Sequence, residues 1–244
     1  MRILQYKDWR LLISDNLSDD EARSYFDVVK NNKFSLIESL KDHHRSVVKR
    51  IAIDDCDLVL KIPAEKNKRK WIRLLTWFRL GEAFKNMKGM VKLWSKGIKT
   101  TLPIIAAEKR SSGMVVDSWL IYKYLDGTTC LDHPEHYGAV VKKLSEMHTK
   151  NILHGDPQIR NFIHQKGEIF VIDSNPKSVG WAFDRAYEWA YLRKSAPGIE
   201  DHFGELNDWW LYKIAFWYDI YERRFVKNRR KFKNGIRSLF SSSK

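Results

Sequence analysis

The 244-residue chain has little cysteine: only Cys56 and Cys130. Two thiols cannot build a disulfide scaffold or a cysteine-rich zinc site. No uncharged apolar run approaches the roughly 20 residues of a membrane-spanning helix. The first residues, MRILQYKDWRLLISDN, carry Lys7, Asp8 and Arg10 where a signal peptide has an apolar stretch. These absences predict a cytoplasmic protein that can still rest on a membrane surface. Glycine is missing throughout the stretch between Asn32 and Lys61. Acidic residues are scarce in two places. Residues 66–99 hold eleven Lys and Arg against one acid, Glu82, and residues 221–244 hold nine against Glu222.

What is present is a globular composition, 43% hydrophobic and 13% aromatic, on a length that suits one large domain or two lobes. The formal charge is +14, and the two basic segments exceed that surplus, so the rest of the chain is net negative. Two basic surfaces on a mildly acidic body suit an anionic partner. In the first segment Trp71, Leu74, Leu75 and Phe78 recur at helical spacing, with Lys68, Arg69 and Arg73 mostly off that stripe. Such a helix either packs the stripe on its own core or lays it on anionic lipid. The tail repeats the style with Tyr221, Phe225, Phe232, Ile236, Leu239 and Phe240. No nucleic-acid-binding module is recognisable, so nucleic acid is not expected as a partner.

Ser18, with Glu21 three residues on, caps a helix over 19–30. Residues 47–53 and 57–62 read as strands joined by Asp54-Asp55-Cys56. A helical stretch over 66–95 breaks or kinks near Gly81 or Gly89, and 103–107 and 114–125 form a hairpin across Ser111-Ser112-Gly113. Pro134 opens a helix to Lys150. Residues 152–163 form a loop, 168–172 a short strand, and the chain beyond Gly180 is helical almost to its end. This order predicts an α+β fold of two lobes. Residues 1–122 form a small β-rich lobe with one key helix, and 123–244 a mostly helical lobe.

The most informative stretch is HGDPQIRNF, residues 154–162, followed by the apolar run Ile169–Ile172 that ends in Asp173. Phosphoryl transfer from ATP needs a carboxylate to align the acceptor hydroxyl and take its proton. It also needs a second carboxylate and an amide oxygen to hold Mg²⁺ against the phosphates. Asp156, Asp173 and Asn161 fit those roles in that order. Arg160, four residues after Asp156, either reaches the γ-phosphate or the acceptor or is a surface arginine. His154 reads as a bond to the loop backbone and His148 as a satisfied core histidine. The pairs His43-His44 and His133/His136 lack a carboxylate or cysteine to complete a metal set.

The pattern His-x-Asp, four residues, Asn, then a strand ending in Asp resembles the protein-kinase-like superfamily. Gly155 after His154 is similar to the small-molecule kinase branch, with its aminoglycoside phosphotransferases and sugar kinases of envelope assembly. The resemblance implies a bilobal kinase-like fold. Its strand lysine is Lys61, inside Leu58–Ile62, and Glu82, the lone acid between residues 66 and 107, is its partner. It places the interlobe hinge over Trp119–Gly127, with adenine bound near Tyr122 and Tyr124. Asp184, at the start of Phe183-Asp184-Arg185-Ala186, would anchor the catalytic loop. Three departures stand out. There is no glycine-rich loop, so phosphates would be gripped by other backbone or by Arg45, Lys49 or Arg50. Only ten residues separate Asp173 from Asp184, too few for a regulated activation segment. Arg160 is the third.

Over its whole length the chain resembles the lipopolysaccharide core heptose(II) kinases of enteric bacteria. The resemblance rests on KNKRKWIRLLTWFRLGEAF, on HGDPQIRNFI, on the strand ending IDSN and on the basic tail. It implies ATP- and Mg²⁺-dependent phosphorylation of a lipid A-linked heptose at the cytoplasmic face of the inner membrane. Segments 66–99 and 221–244 would then meet the anionic bilayer. Other acceptors (Kdo, an aminoglycoside, a protein) and a membrane-bound pseudokinase scaffold are the alternatives.

Overall fold

The computed structural model describes residues 1–221, apart from the Lys66 side chain. From Glu222 onward the basic tail read over 221–244 lies outside the described residues. The chain divides into two compact units, residues 1–128 with 165–176, and residues 129–164 with those from 177 on. The division expected at 122/123 therefore shifts. Residues 165–176 join the first unit because Val171 bridges Thr100 and its amide bonds the Lys99 carbonyl at 2.9 Å.

The first unit is a seven-stranded antiparallel sheet. Its strands are β1 (Arg2–Tyr6), β2 (Trp9–Ile13), β3 (Ser35–His43), β4 (Ser46–Ile53), β5 (Cys56–Ile62), β6 (Pro103–Ser111) and β7 (Met114–Lys123), in the order β1-β2-β6-β7-β5-β4-β3. Alternation along the inner strands buries both faces. Leu11, Ile13, Leu58, Leu60, Ile105, Ala107, Trp119 and Ile121 pack with Ala22, Phe26 and Val29 of helix α1 (Asp19–Lys30). The intervening Leu12, Ala106 and Leu120 pack with Ala83, Phe84 and Met87 of helix α4 (Glu82–Ser95). Helix α1 begins with the expected reciprocal cap: the Glu21 amide donates to Ser18 Oγ and the Ser18 amide to the Glu21 carboxylate.

Between β5 and α4 the chain makes two short helices, α2 (Ala64–Lys68) and α3 (Lys70–Leu75), then an irregular stretch that ends at Gly81. The expected helical stretch thus breaks at Gly81. A Cβ there would lie 2.3 Å from Glu108 Oε1, so α4 can begin only on a bare backbone. Gly89 does not kink α4. It admits the segment Ser174–Pro176, whose Pro176 Cδ would sit 2.9 Å from an added Cβ.

The stripe weighed as core or interface is split: Trp71, Leu74 and Phe78 face outward, and Leu75 does not. Trp71, Trp77 and Phe78 are exposed by 68, 58 and 89%. Ile72, Leu75 and Thr76 turn inward instead, lining a cavity of about 440 Å³ with Gly81 and Val115. The exposed aromatic turn is held from below. Thr76 Oγ1 accepts the Val115 amide at 2.8 Å, and Arg110 donates to the carbonyls of Thr76 and Gly113.

In the second unit a 3₁₀ turn, Pro134–His136, leads into α5 (Tyr137–Thr149), and α6 (Ala182–Ser195) follows the loop over 154–162. Two more 3₁₀ turns, Ile199–His202 and Gly204–Asp208, precede a helix over 210–221. Trp189 and Phe203 meet edge-on at 5.2 Å, and Phe203 meets Tyr212 at 5.8 Å. Arg193 bonds Glu200 and Tyr212 and covers the Phe216 ring.

Candidate active site

In the first unit, Lys61 lies on β5 between β4 and β7, opposite Val48 and Leu120. Leu58 and Leu60 point toward α1, so alternation turns Lys61 to the α4 face. Its side chain is only 15% exposed and forms an ion pair with Asp173. Asp173 follows the strand Glu168–Val171 and sits at φ +51°, the left-handed region, where a short polar side chain is tolerated at some cost. Lys61, Asn86, Met90, Thr101, Tyr122, Asp173 and Ser174 line one small cavity. Burial, with the Asp173 charge adding to it, holds the Tyr122 phenol well above its usual pKa.

Two expectations are corrected here. Lys61 pairs with Asp173 rather than Glu82. Glu82 opens α4 and lines the separate cavity beside Arg79 and Lys85, while Asn86, one turn on, is the polar α4 residue beside Lys61. Arg50 is committed elsewhere, with its guanidinium forked onto Asp57 at 2.6–3.1 Å and lying 3.8 Å from the Tyr124 ring centre. The amides of Lys123 and Tyr124 already serve the carbonyls of Leu102 and Asp57 at 2.9 and 3.1 Å. Where a glycine-rich loop was missed, the β3–β4 turn presents His43, His44 and Arg45, with the two imidazoles 4.0 Å apart.

In the second unit the loop over 154–162 is drawn tight around Asp156. The Asn161 amide nitrogen donates to the Asp156 carbonyl at 2.9 Å and faces its carboxylate at 3.4 Å. Gln158 donates to Asp156 Oδ1 at 2.7 Å, and Ser195 Oγ accepts the Ile159 amide. Gly155 is at φ +85°, which lets the loop reverse. His154 is fully buried, and its Nδ1 accepts the Asp156 amide at 3.3 Å. Arg160 is exposed and does not line the Asp156 cavity.

The loop anchor differs from the expectation. Asp184 caps its own helix, accepting the amides of Gly180 and Trp181 at 3.0 and 2.9 Å. Glu188, one turn on and 4% exposed, holds the loop instead. It accepts the amides of His154 and Gly155 at 3.0 and 2.6 Å and pairs with His148 at 2.9 Å.

Beside Asp156 opens a cavity of about 550 Å³, walled by Phe183, Tyr187, Tyr191 and Tyr218 and bordered by Lys177. Phe183, Tyr187 and Tyr191 recur every fourth residue on α6, so they stack as one wall, with ring centres 6.2–6.5 Å apart. That spacing is legible in the sequence and went unread.

Each unit by itself holds donors of the kind that hard divalent cations and phosphates favour. Asp173 offers a carboxylate beside a lysine. Asn161, its nitrogen spent on Asp156, has its amide oxygen left for a metal.

Comparisons with known proteins bear on the family and the fold. The sequence model of a family described as lipopolysaccharide core biosynthesis protein (WaaY) matches residues 2–235. A lipopolysaccharide core heptose(II) kinase WaaY of Escherichia coli is 25% identical over 237 residues, covering 92% of this chain and 96% of that protein. The protein of the same name from strain K12 is 23% identical over 225 residues, covering 88% and 92%. Among solved structures, WaaP in complex with acyl carrier protein matches with a TM-score of 0.56 at 16% identity, over 84% of this chain and 91% of that one. A thermostable aminoglycoside phosphotransferase APH(4)-Ia mutant with ADP and hygromycin B matches with a TM-score of 0.56 at 12% identity, over 85% and 92%. These likenesses show a kinase-like fold.

Proposed function

This chain belongs to the WaaY family of lipopolysaccharide core biosynthesis proteins, and from that premise we propose that it phosphorylates the second heptose of the lipopolysaccharide inner core with ATP. Asp156 beside the aromatic cavity carries the reading. Aromatic faces pack against the C–H faces of sugars, and Lys177 suits an acceptor that carries phosphates and carboxylates. Asp156 aligns the heptose hydroxyl and takes its proton. Asn161 and Asp173 would supply oxygen ligands to Mg²⁺, and Lys61 a positive charge to the nucleotide's phosphates. Arg160, exposed outside the aromatic cavity, would meet only a part of the acceptor that extends beyond it. The nucleotide with its metal supplies the transferable group and part of the charge neutralisation. The chain's own contribution is alignment and preorganised charge.

The acceptor is anchored in a bilayer, so the protein works at the cytoplasmic face of the inner membrane. Trp71, Trp77 and Phe78, flanked by Lys68, Arg69, Lys70, Arg73 and Arg79, suit the headgroup region of an anionic leaflet. No helix among the described residues is long and apolar enough to cross a membrane.

The test is transfer of radiolabel from the ATP γ-position to purified, underphosphorylated lipopolysaccharide core, with Asp156→Ala alongside. Label with the unaltered chain alone supports the reading. No label while Mg-ATP still binds would redirect the search to another acceptor, and no ATP binding at all would leave a scaffold.

A further inference from the structure

We infer that His133, Glu135 and His136, with His164 as the fourth donor, form a binding site for a zinc-class divalent transition metal. The sequence spacing left the two histidines without a third ligand. On an α-helix, Glu135 would point well away from His133. Here Pro134–His136 is a 3₁₀ turn, in which residues three apart eclipse one another. His133 and His136 therefore share a face, and the Glu135 side chain reaches back to it. One ligand atom from each of the three lies within 4.8 Å of the others. His133 Nδ1 and Glu135 Oε1 are already 2.9 Å apart.

The backbone fixes this arrangement. Asp132 sits at φ +64°, the His133 amide meets the Cys130 carbonyl at 3.4 Å, and the His136 amide meets that of His133 at 3.0 Å. The Cys130 amide bonds the Phe162 carbonyl at 2.9 Å, which ties the turn to the strand Phe162–Gln165. That strand presents His164, whose ring stacks on His136 with centres 4.0 Å apart and planes 21° from parallel. Three imidazoles and a carboxylate are the donors zinc, copper and nickel favour, whereas magnesium prefers oxygen alone. Zinc–ligand bonds of about 2.0 Å set donors about 3.3 Å apart in a tetrahedron. Side-chain rotation closes the gap from the present spacing for the first three ligands. His164 must swing out of its stack to complete the set. A bound metal would clamp the start of α5 to the strand that follows Asn161.

The experiment is titration of the full, tag-free, chelator-treated chain with zinc chloride by calorimetry, with magnesium chloride as control. The site predicts one zinc per chain. Binding should be about tenfold or more weaker in His133→Ala and in His136→Ala and unchanged in His43→Ala/His44→Ala, with a tetrahedral visible spectrum when cobalt replaces zinc. Absence of saturable zinc binding overturns the inference, as does binding that survives His133→Ala/His136→Ala or that is lost with His43 and His44. His133 and Glu135 side chains are 41 and 60% exposed, so the variants should fold, and their metal-free melting temperatures check that they do.

Discussion

The carboxylate of Glu188 carries the backbone of Gly155, accepting its amide at 2.6 Å while the other oxygen takes the amide of His154. Leaving those amides and His148 without an acceptor in a buried site costs about 3 kcal/mol. Glu188→Ala should therefore lower kcat about 100-fold through a displaced Asp156, with KM for ATP little changed. Glu188→Gln, which fills the space but offers one accepting oxygen, should fall between. Steady-state kinetics on both variants, with melting curves, provide the check. An unaltered kcat in a folded Glu188→Ala protein would remove Glu188 from this role.

Asn86, not Glu82, shares the Lys61 cavity. Losing one hydrogen bond to a nucleotide or to Lys61 is worth about 1 kcal/mol, or about fivefold in affinity. Asn86→Ala should raise KM for ATP by about that factor, and Glu82→Ala should leave it nearly alone. The opposite ranking in ATP titrations would restore Glu82 as the partner of Lys61.

Glu108 is fully buried under Gly81, and burial raises its carboxyl pKa although Arg110 opposes the shift. A raised pKa means the folded state binds the proton more tightly than the unfolded one. Stability from this residue is then full below the ordinary glutamate range and is lost as pH rises through the folded pKa. Glu108→Gln should gain on the parent steadily across that rise and keep the gain at pH 8. Chemical denaturation at several pH values would show it, and a difference independent of pH would contradict it.

Phe78, 89% exposed beside a cationic stretch, should enter a bilayer interface. Removing a phenyl ring that is buried on binding costs about 2 kcal/mol. Phe78→Ser should therefore bind anionic vesicles about 30-fold more weakly, and added salt should weaken both proteins. Trp77 is a poorer probe, because its indole lies against Gly113 and its loss would disturb the β6–β7 turn. Equal sedimentation of both proteins with phosphatidylglycerol vesicles would exclude the interface.

The sequence was most readable where one local rule governs. Ser18 and Glu21 announce α1, and the turns at Asp54 and Gly113 announce their hairpins. β3 gave no such signal. It is an edge strand, exposed along its whole length and interrupted by two register shifts, so its pattern carries no buried alternation. β1 and β2 were equally silent, and β2 is buried by long-range pairing with β6. In the site, the loop motif placed Asp156 next to Asn161, and Lys61 met Asp173 across 112 residues. Glu188 was invisible because one buried glutamate in a helix reads like any solvated one. Glu82 misled because the lone acid of that stretch opens α4 at a different cavity, while the Lys61 cavity is lined by Asn86.

The return of residues 165–176 to the first unit bears on the order in which the protein can be made. A ribosome finishes every strand of the large sheet by Lys123, yet Lys61 then waits for Asp173, a long stretch of synthesis later. Throughout that interval the acid that pairs with Lys61 in the finished protein has yet to be made. A fragment ending at Thr128 would be held there permanently, sheet complete and acid missing. Neither unit can be released by a single cut, so dissecting this protein calls for a rearranged chain order in place of truncation.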